Sequence, residues 1–248
     1  MADTVRLRIK RQLSPDSSPF WEEFEVPMTH GMNVIACLVE IQKNPVTKDG
    51  KKTTPVAWEC SCLEEVCGAC TMIINGRVRQ ACSALVKDLE QPIVLEPMTK
   101  FPVVRDLVVD RQKMFDNLMK VKAWVPIDGT HNMGPGPKIP EPERAIHYEL
   151  SKCMTCGCCL EVCPQFNEKS DFMGAQIISQ VRLFNFHPSG ASLKEDRLHV
   201  LMGKGGIHEC GNAQNCVEVC PKEIPLTHSI GEVGRQVTLQ ALKDWFMK

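Results

Sequence analysis

The sequence predicts an α+β protein made of two consecutive domains, residues 1–105 and residues 106–248. Three observations carry this. In the first hundred residues apolar side chains alternate with charged ones or gather in short β-branched runs, the pattern of strands. Beyond residue 105 the apolar spacing lengthens to that of helix faces. The two halves also carry their cysteines in two different spacings. A chain of 248 residues is long enough for two hydrophobic cores.

Val5, Leu7 and Ile9 alternate with charged residues, as in a half-buried strand. Residues 20–26 supply a partner strand across a Ser/Pro/Asp-rich turn. From residue 33 the period changes: Val34, Leu38 and Ile41 share a helix face, with Asn33 or Thr29 as its N-cap. Residues 71–74 and 77–80 flank Asn75-Gly76, the strongest short hairpin signal. Residues 93–95 form a last short strand, ended by Pro97. In the second half Leu107, Met114, Leu118, Val121 and Val125 mark an amphipathic helix. Residues 126–144 hold five prolines and three glycines, Gly134-Pro135-Gly136-Pro137 among them, and read as a linker. Further helices are expected near 144–152, 174–187, 193–202 and 236–247.

Fourteen cysteines dominate the chemistry. The first run is Cys62-x4-Cys67-x2-Cys70 followed by Cys82, the spacing of plant-type [2Fe–2S] ligands. The second is Cys153-x2-Cys156-x2-Cys159-x3-Cys163-Pro164, the bacterial ferredoxin spacing. The third, Cys210-x5-Cys216-x3-Cys220-Pro221, is the same template with Ala213 where a ligand belongs. The fold expected is therefore a plant-type ferredoxin (β-grasp) domain followed by a helical, bacterial-ferredoxin-like domain. In two-cluster ferredoxins the cysteine before proline ligates the other cluster. That rule assigns Cys153, Cys156, Cys159 and Cys220 to a [4Fe–4S] site. It leaves Cys163, Cys210 and Cys216 as a three-thiolate site, which suits [3Fe–4S]. Gly68 permits the tight turn that points backbone amides at sulfur. Cys37, Cys60 and Cys158 fit no template and read as small buried hydrophobes.

Composition excludes several classes. The 29 basic and 30 acidic residues nearly cancel, which gives no footing for nucleic-acid binding or a polybasic membrane anchor. No apolar run approaches the roughly 18 residues of a membrane span. The first ten residues have no secretory h-region, so the chain is expected to stay in the cytoplasm, where clustered thiols point to metal or redox chemistry rather than disulfides. Gly134-x-Gly136 is not continued as a dinucleotide fingerprint, and Gly203-Lys204-Gly205-Gly206 lacks the form of a phosphate loop. The seven histidines form no paired metal or nucleophile motif.

Taken together, the chain resembles the iron–sulfur subunit of succinate dehydrogenase and fumarate reductase. The resemblance spans essentially the whole sequence. It rests on Cys62-Leu63-Glu64-Glu65-Val66-Cys67-Gly68-Ala69-Cys70, on Phe101-Pro102-Val103-Val104-Arg105-Asp106-Leu107, and on both Cys-Pro runs. It implies a flavoprotein partner with covalent FAD at the N-terminal domain and membrane-anchor subunits, with or without haem, at the C-terminal domain. It implies electron flow from flavin through [2Fe–2S], [4Fe–4S] and [3Fe–4S] to quinone. It also implies a peripheral position on the cytoplasmic face of the plasma membrane. Pro164-Gln165-Phe166-Asn167-Glu168 lacks the tryptophans often found in ubiquinone-using members, and Gly211 replaces a frequent histidine. A menaquinone partner is the expectation, with Pro164 as the quinone contact. The competing reading is a soluble ferredoxin-like carrier between other redox proteins, which co-purification with membranes and a flavoprotein would exclude.

Overall fold

The computed structural model describes residues 4–127, 134 and 136–247. The chain forms two compact units. One runs to Arg111 and takes in Met154–Glu161, and the other is built from Gln112–Cys153 and from Val162 onward. A single cut at 105/106 does not anticipate the return of residues 154–161 to the first unit.

The first unit is a mixed five-stranded sheet. Its strands are β1 (Thr4–Arg11), β2 (Phe20–Pro27), β3 (Thr71–Ile74), β4 (Arg77–Gln80) and β5 (Ile93–Glu96), in the order β2-β1-β5-β3-β4. β1 pairs antiparallel with β2 and parallel with β5. The alternation seen in β1 is the sheet's inner face: Val5 lies opposite Val26, and Leu7 lies between Phe24 and Ile93. α1 (Val34–Lys43) adds Val34, Cys37, Leu38 and Ile41 to the same core. Asn33 is its N-cap, with Oδ1 accepting from the Ala36 amide at 2.9 Å. Asn75-Gly76 turns β3 into β4 with both residues at positive φ.

Residues 103–109 differ from the expectation. They form a small hairpin, β6 (Val103–Arg105) and β7 (Val108–Val109), and not the start of a helix. The reason is Asp106. It adopts φ 48° and buries its carboxylate, which accepts from Arg11 Nε at 2.9 Å, the Gln12 amide at 3.1 Å and the Ala57 amide at 2.8 Å. Leu107 is therefore a core residue of the sheet unit. The helix itself, α2, covers only Gln112–Lys120. It ends because Lys122 takes φ 49° and the chain beyond is captured by buried Arg197, which donates to the Lys122 and Trp124 carbonyls.

The second unit continues with α3 (Glu141–Ser151), α4 (Ala175–Phe186), α5 (Lys194–Met202) and α6 (Leu226–Phe246). Of the linker expected at 126–144, residues 128–133 and 135 lie outside the described residues, and α3 already begins at Glu141. α4 packs along α6, with Asn185 Nδ2 donating to Gln236 Oε1 at 3.1 Å. α6 is ten residues longer at its start than its sequence suggests. Gly231 and Gly234 lower its helix propensity, and its buried stripe begins Leu226, Ser229, Val233, in which a serine holds a core position. Among the described residues no helix is long and apolar enough to cross a membrane.

Candidate metal centres

The first centre belongs to the sheet unit. Three residues bend the 62–70 loop through positive φ: Leu63 at 61°, Glu65 at 55° and Gly68 at 70°. This turns successive amides inward. Cys62 Sγ accepts from Glu64 at 3.4 Å, from Val66 at 3.3 Å and from Cys67 at 3.3 Å, and Cys67 Sγ accepts from Ala69 at 3.4 Å. Amides aimed at a sulfur favour its anionic form, so the Cys62 thiol is brought down to about 7, chiefly by the Glu64 and Val66 amides. Cys70 lies deeper, where burial pushes its thiol up to about 12 and Cys82 is its immediate neighbour. Cys82 arrives from beyond the β3–β4 hairpin, and Asn33 Nδ2 fixes its carbonyl at 2.8 Å. Thiolates preceded by inward amides are the donor set a [2Fe–2S] cluster needs, so Cys62, Cys67, Cys70 and Cys82 fit it.

Two supports were not visible in the cysteine spacing. Arg111 closes the loop from behind: Nη1 donates to the Gly68 carbonyl at 3.0 Å, and Nη2 reaches the Ala69 carbonyl at 3.3 Å and Glu59 at 2.9 Å. Ser83 Oγ ties the segment after Cys82 to Glu65 at 2.6 Å. Both lie far from their partners along the chain, so no local motif announces them.

The loop that opens the second run also reaches the sheet unit. Cys156 and Cys159 are buried there, and Cys158 lies among them. Gln80 Nε2 donates to Cys158 Sγ at 3.4 Å and to Thr71 Oγ1 at 3.1 Å. The Cys158 thiol beside it brings Cys156 down to about 7. Glu161 anchors the end of this loop, accepting from the Thr99 amide at 3.0 Å, the Thr99 hydroxyl at 2.6 Å and the Lys100 amide at 3.1 Å. Cys153 and Cys220 belong to the helical unit, where the Ile224 amide donates to Cys220 Sγ at 3.4 Å.

The last centre lies wholly in the helical unit. Cys163, Cys210 and Cys216 line one pocket with Ala213 and Pro164, and its apolar walls include Phe172, Ala175 and Ile230. Asn212 and Gln214 flank Ala213 at φ 51° and 63°, which wraps the segment around the pocket. Burial raises the Cys216 thiol, and the Cys163 and Cys210 thiols raise it further. Three thiols share this pocket with Ala213, whose methyl cannot ligate iron. At Gly211 a Cβ would fall 2.5 Å from Gln165 Nε2, the mobile end of a side chain that can move aside, so a larger residue is compatible with this position. Phe166 is fully buried, with Lys113 Nζ 4.7 Å from its ring centroid.

Of the cysteines outside the templates, Cys37 is a core residue whose thiol burial pushes up to about 12. Cys60 is exposed rather than buried, because it stands at the outer rim of the first loop. Cys158 is buried, yet it touches Cys156 and Gln80 and is more than a packing residue.

Comparison with known proteins identifies the two cluster-binding domains and the family. A profile described as "2Fe-2S iron-sulfur cluster binding domain" matches residues 6–116, and one described as "4Fe-4S dicluster domain" matches residues 149–224. The chain is 60% identical to the succinate dehydrogenase iron–sulfur subunit of Bacillus subtilis over 98% of its own length and 96% of that protein's. It is 29% identical to the fumarate reductase iron–sulfur subunit of Wolinella succinogenes, over 94% and 96% of the two chains. Among solved structures, a chain of the Mycobacterium smegmatis Sdh1 complex in the apo form superposes with a TM-score of 0.80 at 22% identity, covering 96% of each chain.

Proposed function

We infer the role of this chain from its family: it belongs to the iron–sulfur subunits of succinate dehydrogenase and fumarate reductase. It is the electron-transfer subunit of an oxidoreductase complex, and it carries a [2Fe–2S] domain followed by a [4Fe–4S]-type domain. We propose that it delivers electrons from succinate, through the covalent FAD of a flavoprotein subunit, to quinone at a membrane-anchor interface.

Bound clusters supply the one-electron steps this requires. The chain's own residues hold and tune them. Cys62, Cys67, Cys70 and Cys82 are the ligands of [2Fe–2S], and the Glu64, Val66 and Ala69 amides place hydrogen bonds on the Cys62 and Cys67 sulfurs. Cys153, Cys156, Cys159 and Cys220 are the ligands of [4Fe–4S], on the strength of template spacing. Cys163, Cys210 and Cys216 are the ligands of [3Fe–4S]. What supports the last set is Ala213, whose methyl lines the same pocket as the three thiols and cannot ligate iron.

Pro164 lines that pocket too, which supports placing quinone beside it. The segment Pro164-Gln165-Phe166-Asn167-Glu168 lacks the tryptophans often found in ubiquinone-using members, which favours menaquinone. The anchor, with or without haem, would hold the chain peripherally at the cytoplasmic face of the membrane. A soluble carrier is the lesser reading, since the resemblance extends over both domains and not over a ferredoxin module alone.

The observation that carries the proposal is the 62–70 loop, whose amides converge on cysteine sulfurs within a chain 60% identical to a succinate dehydrogenase subunit. The test is purification from membranes. Co-purification with a flavoprotein and succinate-dependent quinone reduction are expected. A soluble chain with no flavoprotein and no such activity would overturn the proposal.

A further inference from the structure

Two contacts inside the sheet unit join loops that hold different cysteine sets. The first is at Gly68, between Cys67 and Cys70. A Cβ placed there would lie 2.6 Å from Cys156 Cβ, 2.8 Å from Cys156 Cα and 3.3 Å from Cys156 N. These are backbone and near-backbone atoms that cannot swing aside. The glycine therefore does more than supply φ 70°. It lets one cysteine loop rest its main chain directly on the other. Arg111 holds this approach by gripping the Gly68 carbonyl at 3.0 Å.

The second contact is at Gln80, two residues before Cys82. Its side chain is fully buried, and Nε2 donates to Cys158 Sγ at 3.4 Å. Cys158 adjoins Cys159 in the chain and touches Cys156. Among the described residues Gln80 Oε1 has no hydrogen-bond partner. Both contacts span from the Cys67–Cys70 or Cys82 segment to the Cys156–Cys159 segment, and all of these residues belong to the same compact unit.

We propose that Gly68 and the Gln80–Cys158 hydrogen bond are positioning residues for electron transfer, fixing the short through-protein link between the [2Fe–2S] and [4Fe–4S] ligand loops. This rests on the ligand sets given above. A substitution that lengthens the link weakens the electronic and magnetic contact between the two centres while leaving each centre's own ligands in place.

The test uses the intact complex reduced with dithionite, with electron paramagnetic resonance reading both the amount of each signal and the spin relaxation of the [2Fe–2S] signal. A nearby paramagnet speeds that relaxation. The variants are Gly68→Ala, Gln80→Leu and Cys158→Ala. Cys158→Ser keeps an acceptor for Gln80 and serves as rescue. Gly76→Ala is the control for backbone strain, since it shares a positive φ of 75° but meets nothing within 4 Å. The expected result is full [2Fe–2S] and [4Fe–4S] signals with slower [2Fe–2S] relaxation, and slower pre-steady-state passage of electrons beyond it, in the three variants. Gly76→Ala and Cys158→Ser should match the parent. If Gly68→Ala does not retain its clusters, Gln80→Leu and Cys158→Ala decide. Unchanged relaxation and unchanged electron passage in variants with full signals would overturn the inference. A parent lacking a four-iron signal would instead overturn the ligand assignment.

Discussion

The 62–70 loop and the 210–216 loop solve one problem in opposite ways. At the opening of the first, backbone amides dominate, while its last cysteine, Cys70, is raised by burial. At Cys62 the Glu64 and Val66 amides outweigh burial and lower the thiol. In the second, burial and neighbouring thiols outweigh the Cys216 and Val217 amides and raise it. One loop is a preorganised anion cradle, and the other is an apolar pocket closed on one side by a methyl group. Hydrogen bonds, burial and net charge are the levers that set cluster potentials. The two loops thus offer different surroundings to whatever clusters their cysteines hold, and a difference in potential between them is the expectation to test.

Breaking either loop should separate them. The largest effect is expected from Cys67→Ser. The [2Fe–2S] signal should be lost or strongly perturbed, the signals of the helical unit should persist, and succinate-driven quinone reduction should fall to background. Undiminished turnover would remove this centre from the path. Next, Ala213→Cys supplies the missing ligand. It should abolish the three-iron signal of the oxidised enzyme, convert the site to [4Fe–4S] and slow quinone reduction. A three-iron signal that survives undiminished would show that Ala213 does not mark the fourth corner.

A third change sharpens the contrast by loosening only the cradle. Arg111→Ala removes donors to the Gly68 and Ala69 carbonyls. Loss of such outer support typically costs roughly 10- to 100-fold in metal affinity, so [2Fe–2S] occupancy should fall under chelator challenge while the three-iron signal holds. Asp106→Ala tests the stem of the same loop through folding. Its carboxylate and Arg11 form a pair that is fully buried on both sides. Removing one partner of such a pair costs about 3–5 kcal/mol, measurable as a lowered denaturation midpoint of the complex. The smallest effects belong to Cys37→Ser, Cys60→Ser and Cys158→Ser, each of which should leave all three cluster signals in place. Loss of any one would mean the ligand register is misread.

Legibility in the sequence followed the locality of the physics. The cysteine runs, the Asn75-Gly76 hairpin and the Asn33 cap act within a few residues, and each reads directly from spacing. The hairpin at 103–109 did not, because Leu107 falls on the helix-face spacing of Met114 and Leu118, and only the distant partner Arg11 makes Asp106 turn the chain. Likewise α2 stops at Lys120 because Arg197, far along the chain, claims the carbonyls beyond it. The supports of the cysteine loops, Arg111, Gln80 and Glu161, were hidden for the same reason. Leu63 and Glu65 were hidden differently: non-glycine residues at positive φ carry no compositional mark.

The central claim is that eleven cysteines hold three different clusters, and electron paramagnetic resonance of the purified complex reads it directly. The oxidised enzyme should show one three-iron signal. Succinate should then develop a [2Fe–2S] signal, and dithionite should add a [4Fe–4S] signal. An oxidised enzyme without the three-iron signal, or a reduced enzyme with two four-iron signals, would contradict the account.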